Sequence, residues 1–122
     1  MKLLEITSFT EFKKIIEEEK LFFINITATW CKPCQLIKKD LEIFVKEQDH
    51  ESVFIKLDYD LYDEENDDFN QYFTIDKIPT FICFKDGIIK NKIISSNLEI
   101  IIDFVNQNLK NEEYNHEINE DF

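Results

Sequence analysis

The chain is short of glycine, proline and arginine, and each shortage narrows what it can be. One Gly and two Pro among 122 residues leave no Gly/Ser-rich or Pro-rich linker, so the length reads as a single domain. A chain of that length buries enough apolar surface to fold without a staple. There is no Arg: all 14 basic residues are Lys. With the abundance of Ile, Asn, Lys and Phe, this reads as A/T-rich coding bias, and single Lys or Asn residues are discounted for it. Against 26 acidic residues the lysines leave a formal charge of −12. A phosphate backbone repels such a surface, so nucleic acid is not an expected partner. Anionic membranes are disfavoured on the same ground. Partners with basic patches are favoured in encounter rate, although most of the charge is read as keeping the protein soluble.

Long apolar runs are also missing, and none reaches the length of a membrane span. The segment Met1–Lys14 lacks the apolar core of a targeting peptide, and Glu120-Asp121-Phe122 is not a retention signal. A cytoplasmic location is therefore expected. Asn25-Ile26-Thr27 matches a glycosylation sequon, but it lies inside an apolar run that reads as a buried strand, where a sugar would prevent folding. Cysteine is sparse, with three residues, two of them close together. In a reducing compartment two close thiols suggest catalysis or metal binding rather than a structural bridge.

What is present is a regular alternation of elements. Leu3 to Ile6 is a short strand candidate. Ser8 and Glu11 have the spacing of a capping box, and Phe9, Phe12 and Ile16 follow at helical spacing, which predicts a helix from Ser8 to about Glu19. Leu21 to Ile26 is apolar without alternation, as suits a strand covered on both faces. Ile37, Leu41, Phe44 and Val45 predict a helix from near Cys31 or Cys34 to about Gln48. Val53 to Leu57 is a third strand. The acidic segment Leu61 to Asn70 reads as a loop or a helix start, with Phe69, Tyr72 and Phe73 as a short apolar face. Phe81 to Phe84 and Ile88 to Ile94 form a hairpin about Asp86-Gly87. Ser96 and Glu99 suggest a second capping box, before an amphipathic helix carried by Leu98, Ile101, Ile102, Val105 and Leu109. Residues 110–122 read as an acidic, frayed tail after a domain of residues 1–109. This order implies an α/β fold with a mixed sheet of about five strands flanked by four helices.

The chemistry centres on Trp30-Cys31-Lys32-Pro33-Cys34, where a central strand gives way to a helix. Unpaired N–H groups and the helix dipole at that point favour a thiolate on Cys31, and Lys32 adds a positive charge. The Cys31 pKa is expected to fall well below about 8.5, making it the nucleophile. Two intervening residues let Cys34 reach back within one turn and attack a mixed disulfide. Pro33 suits the first helical turn, where its missing N–H is not needed. The same spacing is also half of a zinc site. Tetrahedral zinc needs about four ligands, and the remaining candidates are Cys83 in a core strand and His50 and His116 in polar stretches, so no metal is expected. Cys83 itself is most simply a small core residue.

Ala28-Thr29-Trp30-Cys31-Lys32-Pro33-Cys34 resembles the active-site segment of thioredoxins. Ile78-Pro79-Thr80-Phe81 and Phe84-Lys85-Asp86-Gly87 resemble that family's cis-proline loop, strand and hairpin turn, and Lys56-Leu57-Asp58-Tyr59-Asp60 resembles its third-strand end. The similarity covers about residues 1–109, in order. It implies a thioredoxin fold and a cis bond before Pro79, with the backbone of Ile78 pairing with a substrate strand. The plain alternative is a trans proline opening a strand. Trp30 would flank the cysteines as a docking surface, or be a half-buried aromatic without a part in the reaction. Where the family has a buried acid under the second cysteine this chain has Asn25, which cannot accept a proton at neutral pH, so slow resolution and long-lived mixed disulfides are expected; the alternative is that water or Lys56 relays the proton and Asn25 only fills space. Thr27, Lys32, Lys39 and Ser95 also depart from the family pattern.

The resemblance implies a protein disulfide oxidoreductase with no bound cofactor, acting as a monomer on disulfide-containing proteins. Its electrons would come from a thioredoxin reductase or from glutathione. The alternative is a redox-weak binding module in a larger assembly, which would bind its partner equally well with both cysteines changed to Ser.

Overall fold

A computed structural model describes the backbone of residues 1–120 and the side chains of residues 1–112. The elements are β1 (Lys2–Ile6), α1 (Phe9–Glu18), β2 (Leu21–Thr27), α2 (Lys32–Glu47), β3 (Val53–Asp58), α3 (Tyr59–Glu64), α4 (Asn66–Phe69), β4 (Thr80–Lys85), β5 (Ile88–Ile94) and α5 (Leu98–Glu120). The strands form one sheet in the order β1-β3-β2-β4-β5. β1 and β2 run parallel to β3, while β4 is antiparallel to both β2 and β5. The apolar run Leu21–Ile26 thus lies at the centre of the sheet, and all six of its side chains are buried.

Alternation along the central strands feeds two cores. Phe22, Ile24 and Ile26 face α1 and the α3/α4 segment with Phe12, Phe69 and Phe73, and Phe23 faces α2 and α5 with Leu41, Val45, Ile101 and Val105. Asn25 points to the second face from the middle of that strand, in register with Lys56 on one side and Phe81 on the other.

Five helices flank the sheet instead of four. The acidic stretch read as a loop or helix start folds into α3 and α4, because Tyr62, Phe69 and Phe73 bury against the first core and Asp58 caps Asp60 N at 2.8 Å. Both hydrogen-bonding arms near α1 exist, in altered form. Ser8 Oγ accepts from Glu11 N at 3.2 Å, but the Glu11 carboxylate turns to Thr7, accepting from its N–H and its hydroxyl. At α5 the expected capping box is not the cap. Asn97 Oδ1 accepts from Ile100 N at 3.2 Å, and Ser95 Oγ accepts from Asn97 N. A short amide at the position before Leu98 reaches the third N–H of the helix directly, which leaves Ser96 no role there. α5 continues to Glu120, past Leu109, which is its last buried apolar side chain among those described. His116 and the end of the expected tail lie outside the described side chains. The hairpin turn has positive φ at Asp86 (52°) and Gly87 (82°), the pair of signs a type I′ turn needs.

Candidate active site

The site is built where β2 ends. The backbone turns after Thr27, Ala28 is buried, and Cys31 becomes the N-cap of α2. Its Sγ accepts from Cys34 N at 3.3 Å, so a helix-start N–H points at the sulfur. Lys32 and Pro33 occupy the first turn, exposed, and Gln35 Nε2 ties that turn to the Ala28 carbonyl at 2.7 Å. Cys31 and Cys34 are joined as a disulfide with Cα atoms 5.3 Å apart. Both are buried in this state, Cys31 at 6% exposure and Cys34 at 3%.

Ala28, Cys31 and Cys34 form a small cluster against which Tyr59 and Ile78 pack. The Ile78–Pro79 bond is cis. Pro79 is buried and Ile78 half-buried, so the loop before β4 lies beside the cysteine pair. Trp30 is 61% exposed rather than half-buried. Its Nε1 donates to Asp60 Oδ1 at 3.0 Å, and its ring meets Tyr59 edge-on. Tyr59 and Asp60 join the site without being among the residues the sequence predicts for it. Their signal was the Asp58-Tyr59-Asp60 segment closing the third strand, which runs parallel beside β2 with Asp58 opposite Thr27.

Behind Cys34 lies a small cavity of ≈ 20 Å³ (the space open to the centre of a water molecule), lined by Asn25, Thr27, Lys38, Glu42 and Lys56 among others. Asn25 is 4% exposed, and its Oδ1 has no hydrogen-bond partner. Lys56, read as a possible proton relay, donates to Glu42 Oε2 at 2.9 Å. That hydrogen bond, with the charge of Lys56, holds the Glu42 carboxyl below its ordinary range despite some burial. Glu42 is a site residue that the sequence reading missed, since two turns of helix separate it from Cys34.

The other chemistry-bearing residues lie elsewhere. Cys83 is fully buried in β4, and burial pushes its thiol up to about 12. His50 is half-buried and bonded through Nδ1 to Ser52. Among the described residues no cluster of three His, Cys, Asp or Glu is placed to hold a metal ion, and no helix is long and apolar enough to cross a membrane.

The thioredoxin family model matches residues 3–107. Thioredoxin-1 of Saccharomyces cerevisiae is 35% identical over 88 residues, 72% of this chain and 81% of that protein. Thioredoxin H-type 1 of Nicotiana tabacum is 32% identical over 88 residues, 72% of this chain and 66% of that protein. Among solved structures, the reduced thioredoxin pre-protein of Schistosoma mansoni superposes with a TM-score of 0.72 at 25% identity, covering 88% of this chain and 98% of that one.

Proposed function

The chain belongs to the thioredoxin family and is a thiol–disulfide oxidoreductase, and we propose that it reduces disulfides in partner proteins with Cys31 attacking and Cys34 resolving. The observation that carries this reading is Cys31 at the N-cap of α2 with Cys34 one turn inside it and Ile78 packed against the pair. In the reduced protein the Cys34 N–H and the helix dipole stabilise the Cys31 thiolate. That thiolate attacks one sulfur of the partner disulfide and the other leaves as a thiolate. Cys34 then attacks Cys31 Sγ, the partner's second thiolate leaves, and the protein is oxidised by two electrons as its substrate is reduced. Ile78 and Pro79 hold the extended substrate strand, Trp30 offers the adjacent flat surface, and Lys32 adds positive charge at the helix start.

Proteins carrying accessible disulfides are the substrates of this reading, and a thioredoxin reductase or glutathione returns the electrons. A reducing compartment such as the cytoplasm suits the cycle, and the chain works as a monomer. The test is insulin-disulfide reduction with dithiothreitol as electron source. Turnover is expected from the native chain and none from Cys31→Ser. A native chain that gives no turnover, yet binds its partner with both cysteines replaced, is an adaptor and overturns the reading. Cys34→Ser expressed in the native cell should accumulate mixed disulfides on Cys31, and the trapped proteins are the substrates.

A further inference from the structure

We infer that Tyr62 is a positioning residue: its phenol fixes the loop that presents Ile78, and so sets how well extended disulfide substrates are captured. This rests on the substrate-holding role given to Ile78 and Pro79 above.

The loop before β4 has little backbone structure to hold it. From Thr74 to Ile78 no residue belongs to a helix or strand, and among the described residues no backbone–backbone hydrogen bond reaches this stretch. A segment that pairs with an incoming strand must keep its own backbone groups open, so side chains have to fix its place. Three do so. Tyr62 Oη accepts from Ile75 N at 3.2 Å, Lys92 Nζ donates to Thr74 O at 2.8 Å, and Thr80 Oγ1 donates to Lys77 O. The Lys92 bond is exposed, so water competes for both of its ends. Thr80 ties the loop only to its own continuation, three residues away. Tyr62 lies on α3, thirteen residues before Ile75, and links the loop to a separate element.

The phenol is itself held at both ends. Tyr62 is 6% exposed. Its ring stacks on Phe73 with centroids 5.9 Å apart and meets Tyr59 at 5.7 Å and Phe69 at 6.0 Å. Its hydroxyl hydrogen goes to Asn70 Oδ1 at 2.6 Å, which leaves the oxygen as the acceptor for Ile75. Tyr59, on the other side of the ring, packs with Ile78 against the cluster of Ala28, Cys31 and Cys34. One side chain thus sets the loop relative to the cysteine pair. The consequence is selective. Apparent affinity falls in proportion to the fraction of time the loop spends in its capture position, and removing one hydrogen bond shifts such a balance about three- to tenfold. A substrate whose chain pairs with Ile78 feels that loss, whereas a small disulfide reaches Cys31 without the loop.

Tyr62→Phe keeps the ring and removes the hydroxyl. The reduced variant and the native chain are each reacted with a disulfide-linked pair of extended peptides and with 2-hydroxyethyl disulfide. The second-order rate constant for the peptides should fall about three- to tenfold in Tyr62→Phe, while that for the small disulfide stays within about 1.5-fold. A merely structural role would move both rates together or neither. Amide hydrogen exchange reads the loop itself and needs no variant. In the native chain, after correction for intrinsic rates, Ile75 should exchange slower than Asp76 and Lys77 by about tenfold or more. Equal exchange at the three overturns the inference even where Tyr62→Phe fails to fold. An unchanged ratio of the two rates, with Ile75 exchange unchanged in the variant, overturns the inference alone. An unchanged ratio with faster Ile75 exchange means that the loop loosened without consequence, and overturns the substrate-holding role of Ile78 as well. A native chain that reacts with neither disulfide overturns the oxidoreductase reading and this inference together.

Discussion

Cys31 and Cys83 are the same side chain in opposite surroundings. Cys31 sits at a helix start with an N–H on its sulfur, whereas Cys83 is walled in by both neighbouring strands and titrates near 12. Alkylation of the reduced protein followed by mass spectrometry, across about pH 5–9, should label Cys31 first and leave Cys83 unlabelled until the protein is denatured. Labelling of Cys34 ahead of Cys31 would reverse the assigned roles. Lys32 is exposed, so its help to Cys31 is screened by salt. Lys32→Gly should raise the Cys31 pKa at low ionic strength and progressively less as salt is added.

Asn25 is neutral where a carboxylate would be costly. Asn25→Asp places an acid at a site 4% exposed, where desolvation outweighs the attraction of Lys56, which lines the same cavity but is paired with Glu42, and raises its folded-state pKa above the unfolded value of about 3.9. Between those two values the folded state holds the extra proton, so stability relative to the native chain falls as pH rises through that window. Below about pH 4 the penalty disappears. Denaturant unfolding at pH 4 and pH 7 checks this, and an equal loss at both would mean that packing, not charge, is responsible. Glu42 has the opposite sign. Its folded pKa is lowered by Lys56, so the pair contributes stability above the usual carboxylate range and loses it as pH falls through the lowered value.

At the scale of elements, the aromatic packing of α1 and the cap of α5 make the sharpest predictions. Phe12 is fully buried and its ring lies within 6.2 Å of those of Phe22, Phe69, Tyr72, Phe73 and Phe84. It joins α1 and the segment after α3 to the sheet. Phe12→Ala should cost about 3–5 kcal/mol, enough to threaten folding in a domain of this size, whereas Phe12→Leu should be milder and leave insulin reduction measurable. For α5, Asn97→Ala should cost about 1 kcal/mol and Ser96→Ala close to nothing. The reverse order in urea unfolding would restore Ser96 as the cap. Glu65 is a tertiary version of the same device, its Oε2 accepting from Phe9 N at 2.9 Å to complete the start of α1.

Over the whole molecule the charge is uneven. Seven of the eleven residues from Asp58 to Asp68 are acidic, and Asp60, bonded to Trp30, brings that segment to the rim of the cysteine pair. Partner disulfides flanked by basic residues should therefore be reduced faster than acidic ones, and the advantage should shrink between about 0.01 and 0.5 M salt as the Debye length falls from about 30 Å to below 8 Å. Peptide disulfides that differ only in flanking charge would measure it, and equal rates at low salt would show that the acidic segment does not reach the encounter.

Local chemistry was legible in the chain itself. The unbroken run Leu21–Ile26, the apolar spacing in α2 and the Asp86-Gly87 turn each carry their own signal, because periodicity and turn preferences act over a few residues. Cys31 and Cys34 were legible for the same reason, as a short motif at a strand-to-helix junction, whereas the cis bond before Pro79 was expected only through the resemblance to the thioredoxin family. What depends on separate segments meeting in space was decided by the tertiary structure. The helices α3 and α4 exist because Tyr62, Phe69 and Phe73 find a core to enter, which overrides a composition that looks like a loop. Asn97 took the cap of α5 from Ser96 through the geometry of one turn. The pairing of Trp30 with Asp60 and of Lys56 with Glu42 spans 30 and 14 residues. Such pairings follow from strand order and from helix α2 lying across β3, and no spacing within the chain encodes them.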